Sequence, residues 1–294
     1  LLAACGSSPG PSSGKLEVVV TTTILGDVVG AVGGENIDIT VLLPAEADPH
    51  AYEPAPRDAA LISGADLLFI NGLGLEPFLD PLMANVSSGT QVTIVSDGIA
   101  PMEGEPDEHR GAAEGEEALE LDPHVWQDPR NVIIWVENIT AALADADSAH
   151  AEEYQANATA YVAELEEVDS WIVEQVSVLP PERRVLVTDH EALGYFARRF
   201  EFEIVGVVIP SVSTLAAPSA QEMAKLHQEI VEHGAPAIFI GTSANPDLVT
   251  QLGLDLGIAI VPIYGEALSA AGGPASTYLD MMRFNVNAIV NALQ

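Results

Sequence analysis

Basic residues are scarce in this sequence, and lysine is nearly absent. The chain has 294 residues, of which only 10 are Lys or Arg against 44 Asp or Glu, so its formal net charge is -34. A surface this acidic repels phosphate backbones and anionic membranes, which argues against a nucleic-acid partner. The acidic residues by themselves indicate a well-solvated, soluble surface and do not identify a metal site.

Cysteine is rarer still, because Cys5 is the only one. A single cysteine excludes an intramolecular disulfide and any cysteine-based zinc finger. The setting of Cys5, LAACG, is similar to a lipobox, in which small residues precede a cysteine that becomes lipidated, and a Gly/Ser/Pro tether follows it. This pattern predicts a lipid anchor on Cys5. The alternative is a chance cysteine in a leftover signal fragment.

Long hydrophobic runs are also lacking. After the tether, no segment is apolar over the roughly 20 residues that a membrane-spanning helix needs. Membrane attachment would therefore depend on the lipid, which would hold a soluble domain beside the bilayer.

Strand and helix patterns alternate along the chain that follows the tether. The candidate strands lie at 16–22, 37–43, 66–70, 92–95, 184–188, 204–208, 237–240 and 258–263. Such alternation predicts right-handed crossovers and mostly parallel sheets. We therefore predict an α/β fold with two lobes, each built on a mostly parallel four-stranded sheet flanked by helices.

A long helix is predicted between the lobes. Residues 148–178 contain no Gly or Pro, and their apolar residues recur at helical spacing. A coiled coil is the rival interpretation, but the apolar stripe is too short for sustained heptads. The predicted organisation is a lipobox remnant and tether at 1–15, an N-terminal lobe at 16–147, a linking helix at 148–180 and a C-terminal lobe at 181–294.

The tripeptide Asp-Pro-His occurs twice, ending at His50 and at His124, and proline presents each imidazole from a stiff, non-helical turn. His190 and Glu266 each follow a predicted strand of the second lobe. Ligands of open α/β sheets bind beyond the carboxyl ends of the strands, so these side chains could meet in one cleft. Imidazoles grouped in this way can bind a transition metal, above all zinc. Each histidine taken alone would more often be a hydrogen-bonded loop residue.

The remaining histidines lack such motifs and are interpreted as surface residues: His109, His150, His227 and His233. An aspartate stands one or two residues before each candidate ligand histidine, at Asp48, Asp122 and Asp189. Each carboxylate could accept the second ring N–H of its imidazole. Turn formation is an equally good explanation of these aspartates.

Several motifs occur in a recognisable order: TTTILGDVVGAVGGE, DPHAYEP, DPHVWQDPRN, TDHEALGYFARRF and IYGEALSAAGGPASTYLDMMRFNV. With them the chain resembles the metal-binding lipoproteins that act as solute receptors of zinc and manganese ABC importers, the cluster A-I family. The resemblance implies four metal ligands from four loops, two in each lobe, at His50, His124, His190 and Glu266. It also implies that the chain is not an enzyme. We expect an extracytoplasmic monomer that passes transported Zn²⁺ to a membrane permease.

Two features of the sequence bear on the metal. Manganese-type members of the family usually carry a carboxylate where His190 stands, so three histidines and one carboxylate indicate zinc. The family often has Asp where this chain has Glu266. Glutamate keeps a carboxylate as the ligand, but its longer side chain changes the geometry of the site. The acidic segment 102–120 lies where zinc-type members carry a His-rich loop, yet it holds only His109. A zinc-gathering role for this segment is therefore not indicated.

Three further functions are alternatives to a zinc receptor. A manganese receptor of the same family is the nearest one. A zinc hydrolase would need an open coordination position and a nearby general base. A surface adhesin is the third, but no apolar or aromatic surface stripe in the sequence supports it.

Overall fold

The computed structural model describes residues 14–84, 86–103, 121–244 and 246–294. Within these residues, eight strands form two parallel four-stranded sheets with the orders β2-β1-β3-β4 and β6-β5-β7-β8. The strands are β1 (Leu16–Val20), β2 (Ile37–Val41), β3 (Leu67–Ile70), β4 (Gln91–Ile94), β5 (Val185–His190), β6 (Glu203–Ile209), β7 (Ala237–Gly241) and β8 (Ala259–Ile263). The predicted α/β fold with two four-stranded parallel sheets is confirmed.

Helices cover the sheets and connect their strands. They are α1 (Thr23–Gly33), α2 (Pro56–Gly64), α3 (Asp80–Met83), α4 (Pro129–Ala146), α5 (Ala151–Val176), α6 (Gly194–Phe200), α7 (Ala220–His233), α8 (Pro246–Leu256) and α9 (Tyr278–Leu293). Among the described residues, none of these helices is long and apolar enough to cross a membrane. Cys5 and His109 lie outside the described residues.

Local capping determines where the helices next to the site begin. Thr22 accepts a hydrogen bond from the backbone N–H of Leu25 and so starts α1, directly after β1. Asp128 accepts one from the N–H of Arg130, and Pro129 occupies the first turn of α4, where its missing N–H costs nothing. The segment before Asp128, which includes His124, therefore lies outside α4.

The long helix α5 has 26 residues, which corresponds to about 39 Å at 1.5 Å per residue. Its buried stripe, including Tyr154, Leu165 and Ile172, belongs to a hydrophobic core that continues from β1 and β3 to β5, β7 and β8. The two sheets are therefore joined through one helical layer of α1, α4, α5 and α9. The lobe boundaries themselves stay a prediction.

The strands predicted at 16–22 and 37–43 end earlier, at Val20 and Val41, and two other elements also differ from the sequence prediction. The strand predicted to end at Thr188 continues to His190, because His190 pairs with Ile209 of β6. The sequence pattern between β3 and β4 predicts a helix near 76–84, but the structure has a 3-10 turn at Pro77–Leu79 and the single turn of α3 there. Pro81 explains this break, since in the interior of a helix at 76–84 it would remove a backbone donor and clash with the preceding turn, whereas Pro77 would be tolerated in the first turn.

Candidate metal centre

The four predicted ligand residues lie together between the sheets. His50 comes from the loop between β2 and α2, His124 from the segment before α4, His190 from the end of β5 and Glu266 from the loop after β8. One ligand atom from each residue can be chosen so that all four lie within 4.8 Å of one another. All four residues are buried, with His124 fully enclosed. Parallel strands bring these residues together because their carboxyl ends meet at one edge of each sheet.

The ring nitrogens and carboxylate oxygens face one another. The Nε2 atoms of His50 and His124 are 3.2 Å apart. Oε1 of Glu266 lies 3.4 Å from His124 Nε2 and 3.3 Å from His190 Nε2, while Oε2 lies 3.8 Å from His50 Nε2. Every imidazole therefore directs its Nε2 atom towards the same small volume, and the carboxylate borders that volume with both oxygens.

Two of the three imidazoles contact a carboxylate through Nδ1, the ring nitrogen that does not face the cluster. Nδ1 of His124 lies 2.8 Å from Oδ1 of Asp122, and Nδ1 of His190 lies 3.2 Å from Oδ1 of Asp189. The other oxygen of Asp189 accepts the backbone N–H of Gly241, which fixes the carboxylate against β7. When Nδ1 carries the proton and donates a hydrogen bond to the carboxylate, Nε2 is unprotonated and its lone pair can bind a metal. Turn formation alone therefore does not explain Asp122 and Asp189, because each also contacts the ring of its histidine.

Asp48 contacts the backbone of His50 but not its ring, whereas Asp122 contacts both the backbone N–H and the ring of His124. Oδ1 of Asp48 accepts the backbone N–H of His50 at 2.9 Å, which shapes the turn. Its Oδ2 accepts the hydroxyl of Thr214 from the other lobe at 2.5 Å. Nothing in the sequence around Thr214 indicated this contact.

Burial and charge together shift the proton affinities of the cluster. Burial lowers the pKa of His50 to about 3, and the neighbouring imidazoles add to the effect against the opposing carboxylate of Glu266. Burial alone would raise the pKa of Glu266, but the imidazoles outweigh it and lower the pKa to about 2. Burial would also lower the pKa of His190, yet the carboxylates of Asp189 and Glu266 raise it well above the usual range. The imidazoles therefore favour the ionised form of Glu266, and the carboxylates favour the protonated form of His190.

Several buried polar atoms in the cluster have no hydrogen-bond partner among the described residues. They are Nε2 of His190 and both carboxylate oxygens of Glu266. A buried carboxylate without partners is costly unless a cation compensates it. A transition metal ion would satisfy all of these atoms together, so the donor set fits a metal cation.

Buried hydrogen bonds fasten the two lobes beside His124. The indole N–H of Trp126 donates to the carbonyl of Gly265 at 2.8 Å, and the amide of Gln127 donates to the same oxygen at 3.1 Å. The hydroxyl of Tyr278, at the start of α9, donates to the carbonyl of Trp126. The loops that carry His124 and Glu266 are therefore tied together. Sequence reasoning did not find these partners, although Trp126 and Gln127 lie inside the second Asp-Pro-His motif.

Three other histidines lie outside the cluster. His150 contacts Asp147 near the start of α5, and His233 contacts Glu229 on α7. His227 is exposed on α7. Each of the three belongs to a helix or its flank, away from the carboxyl ends of the strands.

Known proteins resemble this chain over its full length. The family described as zinc-uptake complex component A, periplasmic, matches residues 18–292. The manganese-binding lipoprotein MntA of Halalkalibacterium halodurans is 35% identical over 297 residues, covering 100% of this chain and 94% of the relative. The iron ABC transporter substrate-binding lipoprotein MtsA of Streptococcus pyogenes is 30% identical over 303 residues, with the same coverage.

A solved structure supports the same relationship. The periplasmic zinc-binding protein TroA from Treponema pallidum superposes with a TM-score of 0.85 at 31% sequence identity, covering 95% of this chain and 99% of TroA. The names of these three proteins refer to three different metals, so the comparisons identify the family but not the metal. The chain therefore belongs to the zinc-uptake component A family, the extracytoplasmic solute-binding receptors of metal ABC importers, and is not an enzyme.

Proposed function

We propose that His50, His124, His190 and Glu266 are the ligands of a transported Zn²⁺ ion. The convergence of four buried donor groups within 4.8 Å carries this proposal. The oxygens of Glu266 and Nε2 of His190 support it, because these buried atoms have no hydrogen-bond partner among the described residues and a bound metal ion would satisfy them. The ion is cargo in this proposal, which the receptor captures and then releases to a permease.

The donor set favours zinc. Zinc binds imidazole nitrogen and carboxylate oxygen in a tetrahedron, and three imidazoles with one carboxylate complete that coordination. The Asp122 and Asp189 contacts favour binding through Nε2, since they engage the other ring nitrogen. With four protein ligands, no position is left for the water that a hydrolytic zinc site activates. This coordination suits capture and release.

Manganese is the second candidate metal, and two observations favour it. The 35% identical relative MntA is named for manganese binding. Both oxygens of Glu266 border the cluster, so the carboxylate can bind through two oxygens and extend the coordination beyond a tetrahedron. Oxygen-rich, higher-coordinate sites suit manganese better than zinc.

Metal analysis and competition titration test the proposed metal. Protein purified without chelator should contain one metal ion per chain, and Zn²⁺ should displace Mn²⁺ by a wide margin, following ligand softness and the Irving–Williams order. Equal affinities for the two ions would overturn the zinc assignment. The His227→Ala variant, altered far from the cluster, is the matched control and should titrate like the wild type.

Delivery and anchoring complete the proposal. We infer that the receptor hands its ion to the permease of an ABC importer and that a lipid on Cys5 holds it at the membrane. Deletion of the gene should produce a metal-uptake defect, whereas a purely adhesive protein would produce none. In the full precursor, Cys5→Ser should release the protein from the membrane fraction with unchanged zinc affinity. Retention of this variant in the membrane fraction would contradict lipidation. We expect the released protein to elute as a monomer in size-exclusion chromatography.

A further inference from the structure

The two sides of the metal cluster are fastened across the lobes in different ways. On the side of His124 and Glu266, Trp126 and Gln127 both donate to the carbonyl of Gly265, and both side chains are almost fully buried. Water has little access to compete for these hydrogen bonds. The loops of His124 and Glu266 are therefore joined by buried contacts that do not involve the ligand side chains themselves.

On the side of His50, the contact across the lobes is a partly exposed pair of side chains. The hydroxyl of Thr214 donates to Oδ2 of Asp48 at 2.5 Å, and both residues are only half-buried. Because one partner is a carboxylate, this hydrogen bond is stronger than a neutral one. Its exposure nevertheless allows water to replace either partner, so it can open without disturbing the core.

Asp48 connects this contact directly to the ligand. The carboxylate accepts the backbone N–H of His50 with one oxygen and the hydroxyl of Thr214 with the other. His124 and His190 are each oriented by a carboxylate at Nδ1, but among the described residues none is found at Nδ1 of His50. The position of the His50 ring therefore depends on its loop, and the loop is held by Asp48.

Thr214 is in turn connected to His190. The loop that follows β6 begins at Ser211, whose carbonyl accepts the backbone N–H of Glu191, the residue after His190. Ser211 also accepts the N–H of Ser213 through its hydroxyl. The hydrogen bonds of Asp48 with Thr214, of Ser213 with Ser211 and of Ser211 with Glu191, together with the peptide bond between Ser213 and Thr214, thus connect the His50 loop to the strand end that carries His190.

We propose that Asp48 and Thr214 form a latch that holds the His50 loop on the cluster and so sets the rate at which bound metal leaves. Both are positioning residues, since neither reaches the metal. The inference rests on the proposed metal site. When the latch opens, His50 can withdraw while His124, His190 and Glu266 stay assembled, and an ion with three protein ligands is lost more readily than one with four.

The test compares three variants of the full chain. Thr214→Val keeps the side-chain shape but removes the hydroxyl, Thr214→Ser restores a hydroxyl, and Thr90→Val is the matched control. Thr90 donates to the carbonyl of Ala65 at 2.7 Å within the N-terminal lobe, so its replacement also removes one hydrogen bond, far from the cluster. Release of Zn²⁺ into excess EDTA is followed by stopped flow.

Thr214→Val should release Zn²⁺ about tenfold faster than the wild type, the effect expected for one hydrogen bond to a charged group. Thr214→Ser should be close to the wild type, and Thr90→Val should be unchanged. In a double-mutant cycle, Thr214→Val should add little in an Asp48→Ala background, because Asp48→Ala already removes the Thr214 contact together with the one to the His50 backbone. Unchanged release from Thr214→Val, or equal acceleration in Thr90→Val, would overturn the latch.

A second measurement is independent of metal. Hydrogen exchange of the metal-free chain should be faster at 44–54 in Thr214→Val than in the wild type or in Thr90→Val. Equal exchange in all three proteins would also overturn the latch. A wild-type chain that binds no zinc would instead contradict the proposed function, and the exchange measurement would still decide whether Thr214 holds the His50 loop.

Discussion

Nε2 of His50 and Nε2 of His124 lie 3.2 Å apart, although the two residues are separated by 74 positions in the chain. Nδ1 of His124 is engaged by Asp122, so Nε2 of His124 presents its lone pair to His50. A neutral His50 can donate its Nε2–H to this lone pair, and a metal ion bound by both Nε2 atoms would take the place of that proton. The two Asp-Pro-His copies therefore converge on a place where both imidazoles can bind one cation.

Zinc should stabilise the folded protein, because the cluster exists only when both lobes are in place. Stabilisation of RT ln(1 + [L]/Kd) amounts to about 4 kcal/mol at a thousandfold excess of zinc over Kd. Replacing His190 or His50 by Ala should remove most of this gain. Differential scanning calorimetry with and without zinc measures it.

The control for this experiment is His227→Ala, on the exposed face of α7, which should keep the full zinc-dependent shift. A normal shift in His190→Ala would remove that residue from the site. Loss of the shift in His227→Ala would mean that the site lies elsewhere in the chain.

Acid should weaken metal binding chiefly through His190. The carboxylates of Asp189 and Glu266 raise its pKa in the metal-free protein, so protons compete with the metal for this imidazole at a higher pH than for a free one. The pKa of His50, lowered to about 3, leaves that ring neutral throughout. Affinity should therefore fall about tenfold for each unit of pH below the pKa of His190.

Titration calorimetry in buffers with different ionisation enthalpies should detect about one proton released per ion at pH 7. Asp189→Asn is the comparison, because it removes a carboxylate that raises the pKa of His190. This variant should release fewer protons. A flat affinity profile between about pH 5 and 8 would show that the histidines are not the ligands.

The carboxylate behind His124 should matter for affinity although it does not reach the metal. Asp122→Ala removes the acceptor at Nδ1 and leaves the ring free to rotate and to change tautomer. We expect a loss of about 10- to 100-fold in zinc affinity, with one ion still bound per chain. Asp97→Ala, at an exposed position, is the control. Equal affinities in the two variants would exclude an orienting role for Asp122.

Glu76 should be important for stability. Its buried carboxylate accepts hydrogen bonds from the hydroxyl of Thr21 and from the backbone N–H groups of Asn71 and Gly72. In Glu76→Gln one oxygen becomes an amide nitrogen that faces a donor, so the free energy of unfolding should fall by about 1–3 kcal/mol. Chemical denaturation of the metal-free protein measures this change, with Glu103→Gln, at an exposed position, as the control.

Glu76 should also make the free energy of unfolding depend on pH. Burial raises the pKa of Glu76 from its usual 4.5 to about 7, and the three hydrogen bonds oppose this rise. The folded state therefore keeps a proton that the unfolded state has lost, and the contribution of this carboxyl to stability is lost as the pH rises through 7. Glu76→Gln should flatten this part of the profile. An identical profile in the variant would assign the effect to other groups.

Much of the architecture was determined by local sequence. Apolar runs such as the one at 237–240 and the uninterrupted helical stripe of α5 specify their elements through periodicity alone, and parallel crossovers follow from their alternation. The candidate ligands His50 and His124 could be identified because proline makes a repeated, stiff turn around each of them. Asp122 and Asp189 were suggested by their neighbours, but turn formation explained them equally well until the distances to Nδ1 were known.

The tertiary structure decided what depends on distant contacts. His190 is the last residue of β5 because β6 pairs with it, and β6 lies more than ten residues away in the chain. The contacts of Trp126 with Gly265 and of Thr214 with Asp48 join segments separated by 139 and 166 positions, and no local pattern encodes such a pairing. The pKa values of His190 and Glu266 depend on burial and on the charges around them. Sequence selects the residue types, but only the packing of the two lobes brings their charges together and removes the water between them.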